Sequence, residues 1–228
     1  MSEALAPAAA RALADGGGAA IVDVREAKDF ARGHPAGALS VPFSPRGLGD
    51  RVRVAIPAGA AVVLLAADDA TAEAAATQIG YVGIAVRGFV AGGIAAWHAA
   101  SQPERSIAEV DLNELAEMPQ LSGGATLIDV REPMEWSTGH VPGALLIPLG
   151  RLRDALPEVP RDSRVVTICE AGLRSSTAAS ILEAAGFSRV AHVPVGTGGY
   201  RKAGLPLAFP GAEEGQLPPL RPGREEGR

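Results

Sequence analysis

Residues 21–43 read IVDVREAKDFARGHPAGALSVPF, and residues 127–149 read LIDVREPMEWSTGHVPGALLIPL. The two stretches align without a gap at a spacing of 106 residues. Asp23, Val24, Arg25, Glu26, Gly33, His34, Gly37, Ala38, Leu39 and Pro42 recur as Asp129, Val130, Arg131, Glu132, Gly139, His140, Gly143, Ala144, Leu145 and Pro148. A repeat of this length predicts two copies of one domain, not a short-period solenoid. The likeness continues beyond these stretches. The apolar run Ala60-Ala61-Val62-Val63-Leu64-Leu65 answers Val165-Val166-Thr167-Ile168, and Gly80-Tyr81 answers Gly186-Phe187. Gly93-Ile94-Ala95-Ala96-Trp97 answers Gly196-Thr197-Gly198-Gly199-Tyr200.

The pattern predicts a first domain over 1–100, a polar, proline-bearing linker over 101–105 and a second domain over 106–208. Residues 209–228 are rich in Pro, Gly, Glu and Arg and are expected to be a disordered tail. Within each copy, short apolar strands alternate with helical segments. Residues 126–130 and 190–193 read as strands, and Asp111 is placed to cap a helix over 112–117. Pro133 suits the first position of another helical turn. The alternation predicts an α/β fold with a mainly parallel sheet and helices on both faces.

Composition narrows the function. Hydrophobic residues make up 47% of the 228 and aromatics only 4%, so the core is built from small aliphatic side chains. The net charge of -5, with no basic block, argues against nucleic acid or an anionic membrane as partner. No basic and apolar leader opens the chain, and no apolar run approaches the ~18 residues of a membrane span. One cysteine cannot form an internal disulfide, which suits a reducing, cytoplasmic setting. His34, His98, His140 and His192 show no metal-ligand spacing with it, so no metal or other cofactor is expected.

That cysteine opens the run Cys169-Glu170-Ala171-Gly172-Leu173-Arg174-Ser175. A β-branched strand precedes it, and a helical stretch ending at Gly186 follows. Loop N–H groups and a helix N-terminus both favour negative charge, and thiolate is the reactive form of the residue. This setting marks Cys169 as a candidate nucleophile.

Together these residues resemble the rhodanese (sulfurtransferase) family in a tandem arrangement. The pattern Asp-Val-Arg-Glu…Gly-His-x-x-Gly-Ala occurs in both halves, and Cys-x-x-Gly-x-Arg-Ser occurs in the second. A late Gly-rich turn precedes Ala203-Gly204-Leu205-Pro206. The resemblance implies two rhodanese-like domains, each with a five-stranded, mainly parallel sheet. It implies that Cys169 accepts a sulfane sulfur from thiosulfate or a low-molecular-weight persulfide and passes it to a thiol or cyanide acceptor, with a protein acceptor also open. Glu170, Ala171, Gly172, Leu173, Arg174 and Ser175 are then the substrate-binding loop. Their amides would cradle the persulfide, Arg174 would steady an anionic donor and the Ser175 hydroxyl would add a hydrogen bond.

The halves differ where chemistry is expected. Ala66 stands at the cysteine position of the first half, and the loop after it, with Asp68 and Asp69, reads as about three residues shorter. The first domain is therefore expected to be inactive and to act as a structural partner, or to shape the donor's entrance or dock an acceptor protein. Glu170 stands where many thiosulfate-using relatives carry a basic residue, so its charge is expected to oppose small dianions. Asp129, Arg131 and His140 recur in the half without cysteine, so they are expected to support the fold, with a place at the pocket rim left open for Asp129 and Arg131.

Two other functions remain on the sequence. A cysteine-based phosphatase or arsenate reductase shares the fold, but its loop is one residue longer than the four residues between Cys169 and Arg174. A non-catalytic rhodanese-like binding or regulatory module fits the first half better than the second.

Overall fold

Val62-Val63-Leu64-Leu65 and Val165-Val166-Thr167-Ile168 carry apolar or uncharged side chains at every position, so neither face suits water. Both become central strands covered on two sides. The computed structural model describes residues 2–118 and 125–210. Pro119 and residues 211–228 of the expected tail lie outside the described residues.

The first repeat runs β1 (Ala4–Leu5), α1 (Pro7–Asp15), β2 (Ala20–Asp23), α2 (Ala27–Arg32), β3 (His34–Pro35), β4 (Leu39–Ser40), α3 (Leu48–Ala55), β5 (Val62–Leu65), α4 (Asp69–Tyr81), β6 (Val86–Val90) and α5 (Gly93–Ala99). After it come β7 (Glu104–Arg105) and β8 (Ala108–Glu109). The second repeat continues with α6 (Leu112–Glu117), β9 (Ala125–Asp129), α7 (Pro133–Trp136), β10 (Leu145–Leu146), α8 (Leu152–Ala155), β11 (Arg164–Ile168), α9 (Leu173–Ala184), β12 (Val190–His192) and α10 (Gly196–Lys202). Asp111 caps α6 through the amides of Asn113 and Glu114 at 2.8 and 2.9 Å, and Pro133 opens α7.

Two parallel five-stranded sheets result, in the orders β1-β6-β5-β2-β4 and β10-β9-β11-β12-β8. They correspond strand for strand. Leu65 pairs with Asp23 as Ile168 pairs with Asp129, so Ala66 and Cys169 leave equivalent strand ends. The residues expected to link the domains are tied down, because Glu104–Arg105 pairs antiparallel with β3.

The length difference between repeats is not where the sequence suggested. Ala67 and Asp68 separate Ala66 from α4, while Glu170, Ala171 and Gly172 separate Cys169 from α9. The first loop is shorter by one residue, not three. The larger change lies upstream, where the repeat spacing falls from 106 at Pro42 and Pro148 to 103 at Leu65 and Ile168. There the first repeat carries the eight-residue α3, and the second carries short turns around the four-residue α8.

Apolar packing continues across the repeats. One buried cluster holds Leu48 and Val52 of α3 together with Leu152 of α8 and Ile181 and Leu182 of α9. Helix α9 is enclosed from Ser175 through Leu182. Apolar side chains of α9 meet its own sheet and α3, and the hydroxyls of Ser176, Thr177 and Ser180 meet the first domain. Strand β4 ends the first sheet, so its outer backbone groups need partners other than strand. The Ser40 amide donates to Ser180 Oγ at 3.0 Å, and Thr177 Oγ1 donates to the Ser40 carbonyl at 2.6 Å. The Ser40 and Ser176 hydroxyls lie 2.7 Å apart. His34, fully buried and stacked on Phe30, brings Nε2 within 2.9 Å of Glu183 Oε2.

Thr177→Val keeps the side-chain shape and removes its hydroxyl. The Ser40 carbonyl then loses that donor in a buried seam, and the full chain is expected to lose about 1–3 kcal/mol in urea unfolding. An unchanged midpoint would show that this hydroxyl adds nothing to stability.

Candidate functional site

Cys169 is the first residue after β11, which lies between β9 and β12 at the middle of the second sheet. Ligands of open parallel sheets gather beyond the carboxyl ends of such strands. The next three residues turn the chain into α9. Gly172 makes that turn at φ +87°, and a Cβ there would sit 2.2 Å from the Pro194 carbonyl oxygen. Only glycine meets both demands.

Helix α10 holds the loop from outside. The Thr197 amide donates to the Cys169 carbonyl at 2.8 Å, and the Gly198 amide donates to the Glu170 carbonyl at 3.0 Å. Gly196, at φ +61°, lets this approach occur, since a Cβ would lie 2.3 Å from both carbonyl oxygens. A trans peptide sets its N–H opposite its C=O. The amides of Glu170 and Ala171 therefore point away from α10. In α9 the first backbone amide to bond back is that of Ser176, to the Gly172 carbonyl at 3.0 Å. The amides of its first turn remain outside the helical ladder, at the positive end of its dipole.

The sulfur is more enclosed than the sequence suggested. Cys169 is 1% exposed and joins the apolar cluster shared by both repeats. Its Sγ lies 3.6 Å from Ser175 Oγ. That hydroxyl donates to the Gly172 carbonyl at 3.0 Å, so it braces the turn at the helix start. Ala171 and Leu173 are exposed, while Gly172 is buried.

The charged loop residues are already paired. Arg174, expected to steady an anionic donor, grips Glu135 of α7 with two hydrogen bonds of 2.6 and 2.7 Å. Its hydrogen bonds hold the Glu135 carboxyl down at about 2. Glu170, expected to oppose dianions, turns toward α10. Its carboxylate accepts from Thr197 Oγ1 at 2.9 Å and from the Arg201 guanidinium, and Arg131 Nη1 lies 3.6 Å away. Partial burial pushes its carboxyl up, but these partners outweigh that and hold it below its usual value. The negative charge of Glu170 is paired within the loop's support.

Asp129 and Arg131 are completely buried and joined side-on. Arg131 also donates to the Gly139 carbonyl at 2.8 Å, as Arg25 does to Gly33 at 2.7 Å in the first repeat. Each pair clamps the segment after its strand to the Gly-His turn. His140 sits on that turn, with Nδ1 3.1 Å from the Val141 carbonyl and its backbone bridged to Ala208. The structure places Arg131 near Glu170 but does not bring His140 to the cysteine loop.

Several neighbours were not legible in the sequence. A cleft of about 340 Å³ lies between the repeats beside the loop, walled by Ala171, Leu173 and His192 on one side and Lys28, Pro42 and Phe43 on the other. His192 is 1% exposed, and neither ring nitrogen has a hydrogen-bond partner among the described residues. Burial pulls it down to about 4, so the ring is neutral near pH 7. Only the register that aligns His192 with Thr167 could have placed it here. At the matching site of the first repeat, Ala66 stands in place of the cysteine and Asp68 caps α4 through the Thr71 amide at 2.7 Å. Among the described residues, no helix is long and apolar enough to cross a membrane.

The model of the rhodanese-like domain matches the chain twice, over residues 6–100 and 111–203. A probable adenylyltransferase/sulfurtransferase, MoeZ, of Mycobacterium tuberculosis is 40% identical over 72 residues, which are 31% of this chain and 18% of that protein. A sulfurtransferase of Allochromatium vinosum is 33% identical over 82 residues, covering 36% of this chain and 77% of its own length. A thiosulfate sulfurtransferase of Pseudomonas aeruginosa, of known structure, covers 87% of this chain and 42% of its own at 24% identity and a TM-score of 0.37. With both repeats matched and sulfurtransferases among its relatives, the chain belongs to the rhodanese-like family and carries two such domains in tandem.

Proposed function

We propose that this protein is a sulfurtransferase that carries a sulfane sulfur as a persulfide on Cys169. The observation that carries this reading is the position of the thiol. It leaves a central strand directly in front of a twelve-residue helix, while α10 holds the loop carbonyls on the opposite side. Thiolate at Cys169 attacks the sulfane sulfur of a donor. The donor's sulfur–sulfur bond breaks, and its leaving group departs with the electron pair, as sulfite from thiosulfate or as thiolate from a persulfide. The enzyme then holds Cys169–S–S⁻. An acceptor thiolate or cyanide attacks the outer sulfur, and Cys169 regains its electron pair as thiolate. Amides at the helix start offset the negative charge in both steps. Two half-reactions on one sulfur give ping-pong kinetics.

The four residues between Cys169 and Arg174 favour a sulfur over a tetrahedral oxyanion. The first domain has no nucleophile at Ala66 and acts through the seam it makes with α9. A reducing, cytoplasmic setting keeps Cys169 as a thiol. The near-complete enclosure of Cys169 favours a second reading, a binding module whose cysteine is structural.

Intact-mass measurement separates the two. After exposure to thiosulfate or glutathione persulfide, the protein is expected to gain one sulfur atom, mapped to Cys169 by digestion. No gain from either donor would favour the binding module. Cys169→Ser is expected to lose the gain and all turnover while keeping its circular dichroism; retained turnover would overturn the assignment. Ala66→Cys is expected to gain no sulfur at residue 66, because its loop is a residue shorter and starts α4 with an aspartate. Sulfur mapped to residue 66 would show that the first domain lacks only the nucleophile.

A further inference from the structure

Arg174 is the second residue of α9 and is about a third exposed, with its side chain at 30%. Its planar guanidinium offers two parallel N–H bonds, the geometry that binds an oxyanion. In this structure that face is taken by Glu135, whose two oxygens lie 2.6 and 2.7 Å from Nη1 and Nη2. Glu135 is itself held in place. It stands at the third position of α7 and accepts from the Glu132 amide at 3.0 Å, closing a capping box. Other cations around the loop are also engaged: Arg131 with Asp129, Arg201 with Glu170 and Lys28 with Glu26 at 2.7 Å.

We infer that Glu135 sets donor choice by occupying the face of Arg174 that a sulfur-oxyanion donor such as thiosulfate would use. Glu135 stands in for the donor's oxygens. Thiosulfate must displace a tethered carboxylate before it meets the guanidinium, whereas a persulfide without an oxyanion group needs no such displacement. The low value of the Glu135 carboxyl, about 2, keeps it charged throughout the neutral range. The pair is also wet enough to exchange, since the Glu135 side chain is 34% exposed. The inference concerns the donor and rests on the sulfur-transfer reading. Glu135 acts through Arg174 and is a positioning residue.

E135Q tests it, because glutamine keeps the length and the capping acceptor while removing the charge. The first measurement is thiosulfate binding by titration calorimetry in a C169S background, where no sulfur can transfer. Adding E135Q is expected to tighten binding at least tenfold, and adding R174Q to that variant is expected to abolish the gain. The second is persulfide loading of Cys169 by mass spectrometry, with thiosulfate and an alkyl hydropersulfide that carries no oxyanion group compared. E135Q is expected to raise the thiosulfate-to-hydropersulfide rate ratio at least tenfold, through KM for thiosulfate. An unchanged affinity and an unchanged ratio would overturn the inference, as would a gain that survives R174Q. If E135Q does not fold, E135D carries the same measurements, since it draws the carboxylate back by one methylene and is expected to give a smaller gain in the same direction. Tighter binding without any loading would uphold the role of Glu135 and refute sulfur transfer instead.

Discussion

Helix α9 is held from two directions, and the cysteine loop inherits its position from that hold. Ala178, Ile181 and Leu182 are buried in the apolar cluster that both repeats share. Ser176, Thr177 and Ser180 bond the outer edge of the first sheet at Ser40. The two sets leave the helix little freedom to slide or roll, because each hydroxyl meets a backbone or side-chain partner at a single register. Its first turn therefore stands at a set height above the end of β11. A helix of alanine, serine and threonine is a poor amphipath, and here it has no water-facing side over its buried middle.

The first domain thus contributes to the position of the cysteine loop through packing. Its edge strand needs partners, and α9 needs cover. One contact meets both needs. It also breaks the symmetry of the repeat, since Leu146 stands in β10 where Ser40 stands in β4. Packing of α10 completes the loop from the other side. Two glycines, Gly172 and Gly196, let backbone meet backbone there at distances that a side chain would forbid.

Charge around the loop is arranged in closed pairs. Arg131 meets Asp129, Arg174 meets Glu135, and Arg201 meets Glu170. The buried Asp129–Arg131 pair belongs to the scaffold, as its twin Asp23–Arg25 shows. The other two pairs are only partly buried and are peculiar to the half with the cysteine. They tie the loop, at residues that also read as substrate contacts, to its neighbours α7 and α10.

Much of this was legible in the residues alone. The repeat in 21–43 and 127–149 determined two copies of one α/β fold, because apolar strand patterns and glycine turns are local signals. The lone Cys169 between a strand and a helix likewise marked a candidate site. Three matters were decided only by tertiary structure. The seam joins residues 136 to 140 positions apart, and no local pattern announces such a pairing. The partners of Arg174 and Glu170 come from α7 and α10, so charge at those positions could be counted in the sequence but not assigned. The enclosure of Cys169 depends on how two domains close over one loop. Local sequence sets which backbone shapes and buried faces are possible; the distances between remote groups arise only when those faces are packed together.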